Sequence, residues 1–381
     1  MNKIKLIAVI ALFIILFSST AYAQQDVSLE EQVKNQIMQL DTFDLAKAME
    51  DMPDQVQRLW DGKSLTQLLS QFAIGQDPLD NMQILSVFTD SVKNVLKQRV
   101  GFICTLIAVS VIGGIISQLH GSVGNIATFI CSALGIIASI YVFTDTFSAI
   151  REAILQISAL MEAAFPPLMV LLITSSPSSA GVFQPITAIL SGTVTSLIKN
   201  VLLPMVLIMS VVAVISAFSQ HISFGKLQKT LKSTTKWTIG ITGTLFLGFA
   251  SIRGITAKTF DGVSMRTARY ALDKLVPYVG SLLSGSADAV LGCSILLKNA
   301  LGVCCLLILI ALLVTPLLQI FSAQLAMRLA SAIAEPLGDK RISNVLDELA
   351  DVLGYLFAIV AMQGLMFALM IGLIINAGAI Y

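Results

Sequence analysis

The chain has 381 residues, of which 56% are hydrophobic and 12% charged, with a mean hydropathy of +0.84. An average soluble domain carries roughly 25% charged residues, so a water-soluble globule is excluded. The 24 basic and 23 acidic side chains nearly cancel, to a net +1, and give no electrostatic reason to expect nucleic acid as a partner.

The chain opens with Lys3 and Lys5, an apolar run from Leu6 to Phe17, and Ala21-Tyr22-Ala23. That is a basic n-region, a short h-region and a small-x-small cleavage site. The run is shorter than the roughly 20 residues a spanning helix needs, so residues 1–23 are expected to be a cleaved secretory signal. Residues 24–99 follow with 12 acidic and 7 basic side chains, a net of −5. Apolar residues there recur at helical spacing, with Leu29, Val33, Ile37 and Leu40 in one stretch and Leu65, Leu68, Leu69 and Phe72 in another. Ser28 and Glu31 have capping-box spacing. The expectation is a small extracytoplasmic helical region of self-packing amphipathic helices, with a docking surface as the alternative. Met82 to Leu96, ending in Lys97 and Arg99, reads as an interfacial helix feeding the first span.

From residue 100 the pattern is membrane. Candidate spans are Val100 to Leu119, Ile126 to Val142, Phe165 to Thr174 with Val182 to Ile198, Leu202 to Phe218, Trp237 to Ile252, Val276 to Leu297, Leu301 to Phe321 and Tyr355 to Ile375. Two of these are expected to be interrupted. One carries Pro166-Pro167 and the run Ser175-Ser176-Pro177-Ser178-Ser179; the other carries Pro277, Ser284-Gly285-Ser286 and Gly292. Freed backbone groups in lipid must find protein or water, so such segments belong inside a bundle.

The two interrupted stretches are alike in order. Thr146-Phe147, Arg151, Phe165-Pro166, a Ser-rich break, Ile198-Lys199-Asn200, a span and Phe218-Ser219-Gln220 parallel Thr259-Phe260, Arg266, Val276-Pro277, a Ser-rich break, Leu297-Lys298-Asn299, a span and Phe321-Ser322-Ala323-Gln324. The membrane domain, residues 100–381, therefore reads as two repeats, about 122–236 and 237–377, an arrangement that points toward transport architecture. Lys226, Lys229, Lys232 and Lys236 with no acid make residues 219–236 the clearest cytoplasmic loop. A second basic segment at 253–274 conflicts with a crossing by Trp237 to Ile252.

Charges near apolar runs are the candidate site residues, because a charge in hydrocarbon costs at least about 2.5 kcal/mol. Asp288 lies between two apolar halves, where it is expected to cap a half-helix; a conducting or proton-linked role and an exposed hairpin tip are the alternatives. Glu162 is similar but nearer the interface. Lys199 and Lys298 each precede a full span and are expected to snorkel to the headgroups. Gly338 to Leu353 reads as an amphipathic helix capped by Asp339, with Ile342, Val345, Leu346, Leu349 and Leu353 on one face and Asp347, Glu348 and Asp351 on the other. With Arg341, those acids form a candidate docking site for a cytoplasmic partner. His120 and His221 stand alone at the ends of apolar runs, and the sequence has no metal-binding H-E-x-x-H, nucleophile elbow, P-loop or dinucleotide fingerprint. No cofactor and no enzymatic activity are expected.

Asp261-Gly-Val-Ser-Met-Arg266-Thr-Ala-Arg269, Val276-Pro277-Tyr-Val-Gly280, Ser284-Gly-Ser-Ala-Asp288, Ser294-Ile-Leu-Leu-Lys298-Asn299-Ala-Leu-Gly302 and Glu335-Pro336-Leu-Gly-Asp339-Lys-Arg341-Ile342 resemble the stage III sporulation protein AE family of endospore-forming bacteria. The resemblance implies an all-α polytopic membrane protein of the outer forespore membrane in the mother cell. It implies a subunit of the channel or secretion-like complex that joins mother cell and forespore after engulfment. Its partners would be the other membrane and ring proteins of that complex and the lipid bilayer; the acidic face of the 338–353 helix adds a cytoplasmic motor ATPase as a candidate partner, against a helix lying on the membrane or packed under the bundle. The residues alone leave a secondary transporter for a small solute as the other reading.

Overall fold

The computed structural model describes residues 40–58, 62–75, 122–175, 192–218, 224–275, 280–336 and 340–377, with isolated positions in between; within 252–289 only the backbone is described. The signal segment, the Ser28–Glu31 cap, His120, His221, the Ser176–Ser179 run, Pro277 and Asp339 lie outside the described residues. All regular structure among the described residues is helical.

Three short helices come first: α1 (Phe43–Glu50), α2 (Asp54–Gln57) and α3 (Leu65–Ala73). Ser64 caps α3 in a reciprocal box with Gln67, which satisfies two backbone donors at the helix start. These helices pack onto long membrane helices. α1 lies on α4 (Ser122–Ser175), and α2 and α3 lie on α7 (Gly280–Ala334). Their apolar residues, Leu45, Met49, Leu68 and Leu69 among them, join one continuous core with the bundle. The Leu65–Phe72 stripe, expected to pack within the N-terminal region, is instead covered by a membrane helix, and Leu29 and Val33 lie outside the described residues.

The bundle is completed by α5 (Leu203–Phe218), α6 (Gly225–Leu275) and α8 (Lys340–Asn376). Four helical stretches are long and apolar enough to cross a membrane: Phe129–Ser175, Gly192–Ser216, Val290–Ala334 and Arg341–Asn376. The amphipathic helix expected up to Leu353 and the span expected from Tyr355 are one helix of 37 residues. Ile342, Val345, Leu346, Leu349 and Leu353 are all buried, as their spacing predicts.

Parts of both expected interruptions are helical, while Ser176–Ser179 and Pro277 lie outside the described residues. Pro166 and Pro167 sit inside the 54-residue α4, and Ser284-Gly285-Ser286 with Gly292 sit inside the 55-residue α7. A proline frees carbonyls one turn back, but neighbouring helices in a bundle can take them up, so the helix continues. The irregularity is elsewhere, in a π-helical turn at Ile198–Leu202. Pro204 has no N–H to offer the carbonyl of Asn200 four residues earlier, and a widened turn relieves that conflict.

Helix directions follow from contacts. α7 and α8 run antiparallel, and two glycines let them approach closely. A Cβ on Gly364 would lie 2.3 Å from Leu313 Cδ1, and one on Gly302 would lie 2.4 Å from Ile375 Cγ1. α4 runs parallel to α8, with Gly135 against Ile342 and Ile154 and Ser158 against Gln363. Gln228 and Lys232, near the start of α6, meet Glu348 and Asp351 of α8, whereas Lys298, a third of the way along α7, meets Ala377 at the other end of α8. The chain therefore traverses the bundle between them, and the 51-residue α6 is the element that does so.

Candidate functional site

Polar groups gather at the two ends of the bundle and along one face of α4. At the first end, three helices meet through charge. Lys232 Nζ lies 2.6 Å from Glu348 Oε2 and 2.8 Å from Asp351 Oδ2. Arg328 Nη2 of α7 lies 2.9 Å from Asp351 Oδ1. Gln228 Nε2 donates to Glu348 Oε2, and Ser331 Oγ is 3.0 Å from Ser343 Oγ nearby. Partial burial by itself pulls the Lys232 ammonium pKa down, but hydrogen bonds and charge attraction from Asp351 and Glu348 outweigh it and raise the pKa above the ordinary lysine value. Of the expected docking residues, Glu348 and Asp351 are therefore engaged in holding the bundle end together. Arg341 stacks over Phe129, 5.9 Å from the ring centroid, and Asp347 is exposed.

At the opposite end Lys298 has no exposed surface. Its Nζ donates to the carbonyl of Ala377, just past the end of α8. This corrects the snorkelling expectation. The last carbonyls of a helix lack intrahelical partners and carry its negative dipole end, so the ammonium finds a ligand in protein without reaching the headgroups. Its repeat counterpart Lys199 is half-buried in the π turn. Ser294, one turn before Lys298, accepts a 2.8 Å hydrogen bond from Gln36 Nε2, which ties the N-terminal segment to this end. Asp288 lies in α7, eight positions after its first residue, inside continuous helix; it is not the N-cap of a half-helix.

The third constellation lies between the ends. Gln363 of α8 is fully buried and donates to Ile154 O at 3.3 Å and Ser158 Oγ at 3.1 Å of α4. On the outer side of α4, a hollow of ≈ 440 Å³ is lined by Asp54 and Arg58, by Glu152 and Gln156, and by Thr315 and Gln319. A second, of ≈ 320 Å³, holds Glu162 beside Asp44, Lys47 and Asp51. Glu162 is thus brought together with the N-terminal segment and not with Asp288, Lys199 or Lys298.

Sequence reasoning missed Arg328, Gln228 and Gln363 and used Lys232 only for orientation. The i, i+3 spacing of Glu348 and Asp351 marks one acidic face and the i, i+4 spacing of Gln228 and Lys232 a second polar one. Their pairing across 116 to 120 positions of chain, from Lys232 to Glu348 or from Gln228 to Glu348, had no local signal.

The chain is 29% identical over 260 residues to the stage III sporulation protein AE of Bacillus subtilis (strain 168), a match that covers 68% of this chain and 65% of that protein's length. No solved structure matches. The family model described as stage III sporulation protein AE matches residues 63–378, from the loop before α3 through the end of α8, and on that match the chain belongs to the stage III sporulation protein AE family.

Proposed function

We propose that this chain is a non-enzymatic integral membrane subunit of the channel or secretion-like complex between mother cell and forespore, placed in the outer forespore membrane and needed for endospore development after engulfment. Family membership over residues 63–378 supports a role in sporulation and carries this reading. The site chemistry is consistent with it. The charged groups at the first end join helices to one another, and the N-terminal segment is docked on the membrane helices, which suits a subunit that must hold a fixed shape in a larger assembly. In this reading the Lys232 end is cytoplasmic and Asp347 and the neighbouring Asp339 and Arg341 receive a motor ATPase, while the Lys298 end faces the other membrane and ring proteins.

Affinity capture from sporulating membranes tests it. Co-purification of other membrane and ring proteins, with deletion arresting development after engulfment and leaving vegetative growth intact, is the expected result. Slow growth in rich medium together with recovery of the chain alone would replace it with the second reading, a secondary transporter. The observation favouring that reading is Lys298, a buried ionisable side chain inside an apolar helix.

A further inference from the structure

The exposed stripe of α4 changes chemistry along its length. Leu134, Ile137 and Tyr141 are exposed on it first; then come Thr144, Ser148, Arg151, Glu152 and Glu162, with Leu155 and Ala159 exposed among them, and Val170 and Ile173 follow. The depth of that polar stretch is fixed by its neighbours. α8 carries no Asp, Glu, Lys, Arg or His from 352 to 376, and α7 carries none from 299 to 327. Each of those runs is about 37 Å or longer at ~1.5 Å per residue, enough to cross the hydrocarbon core. Gln363 lies near the middle of the α8 run and touches Ile154 and Ser158 of α4. Thr315 and Gln319, within the α7 run, share a hollow with Glu152 and Gln156. The charged stretch of α4 therefore stands at the depth where its partner helices carry no charge.

Charged side chains at that depth are not lipid-facing. The N-terminal helices cover part of the face, but Asp44, Lys47, Asp54 and Arg58 are exposed on them in turn. Covering moves the charge one layer outward and does not remove it. The opposite flank has the reverse character, with Leu207, Ile208, Val211 and Ile215 of α5 exposed. One flank of the bundle suits lipid and the other needs water at the same depth.

We propose that several copies of this chain assemble with the polar face of α4 and the α1–α3 segment turned toward a shared axis, enclosing an aqueous lumen across the membrane, and with α5 turned to lipid. Closed cyclic symmetry satisfies both flanks at once, since every charged face is then in water and every apolar face in lipid. The inference rests on the membrane reading and is independent of the role in sporulation.

The test uses the purified full-length chain in lipid nanodiscs, with the accessible Cys104 and Cys131 changed to Ser and the buried Cys293, Cys304 and Cys305 retained. Single cysteines are placed as Glu152→Cys, Ala159→Cys and, on the lipid flank, Val211→Cys. Ala159→Cys removes no charge and stands in should Glu152→Cys not fold. Labelling with a membrane-impermeant maleimide is expected to be at least ten-fold faster at 152 and 159 than at 211, on particles whose measured mass corresponds to more than one copy. Slow labelling at 159 comparable to 211 overturns the proposal. So does fast labelling on particles that hold a single copy, because the wet face then belongs to a crevice within one chain.

Discussion

The two ends of the bundle solve the same problem, a lysine among apolar helices, in opposite ways. Lys232 is partly exposed and shares two carboxylates, one of which also serves Arg328. Lys298 is wholly buried and has a main-chain carbonyl as its described partner. The first arrangement is redundant and solvated, so its individual links are weak; exposed pairs contribute about 0 to 1 kcal/mol. The second has little slack, because a buried charge that loses its ligand has no water to fall back on. Position alone therefore says little about how much a lysine matters in this molecule; what decides is the water within reach.

The comparison is broken most severely at Lys298. Lys298→Glu places a carboxylate against the Ala377 carbonyl and is expected to cost about 3 kcal/mol or more, read as loss of full-length protein from the membrane fraction. Lys298→Met keeps the volume and removes the charge. It leaves the Ala377 carbonyl without its described donor, so a smaller cost of about 1 to 3 kcal/mol and reduced but detectable accumulation are expected. If Lys298→Met also failed to support sporulation while accumulating, the lysine would have a role beyond holding the end of α8.

Gly364→Val ranks next. The glycine leaves room only for Leu313, and overpacking of that kind costs about 1 to 3 kcal/mol, seen as a lower melting temperature in detergent. Gln363→Leu should cost less, about 0.6 kcal/mol, the average for such bonds between membrane helices. It also removes a buried Oε1 that has no hydrogen-bond partner.

Lys232→Gln is expected to have the smallest effect, under about 1 kcal/mol, and to shrink further in high salt. The pH dependence has a defined sign. The folded-state pKa of Lys232 is raised above 10.5, so its pairing contributes fully below pH 10.5 and is lost as pH climbs through the higher folded value. Melting curves of wild type and Lys232→Gln should differ below pH 10.5 and converge above it.

Local pattern carried part of this structure and long-range contact carried the rest. The buried face of α8, from Ile342 to Leu353, was legible because a 3.6-residue stripe depends only on which residues sit one turn apart. Lys199 and Lys298 looked equivalent for the same reason: each precedes an apolar span. What separates them is the end of α8 lying beside Lys298, a contact between residues 79 positions apart. Pro166-Pro167 looked like a break because proline rules are local, whereas continuation of α4 depends on its neighbours. Likewise the stripe of α3 reads as self-packing, because its pattern shows an apolar face but not that α7 is what covers it.

The central claim is that the Lys232 and Lys298 ends lie on opposite sides of one membrane. It is tested most directly by single cysteines at Asp347 and at Lys34, which is exposed two positions before the Gln36 that bonds Ser294 at the Lys298 end, in the chain with Cys104 and Cys131 changed to Ser, labelled with an impermeant maleimide on intact protoplasts. The account predicts that Lys34→Cys is labelled from outside and Asp347→Cys only after permeabilisation. Labelling of both from the same side would contradict it.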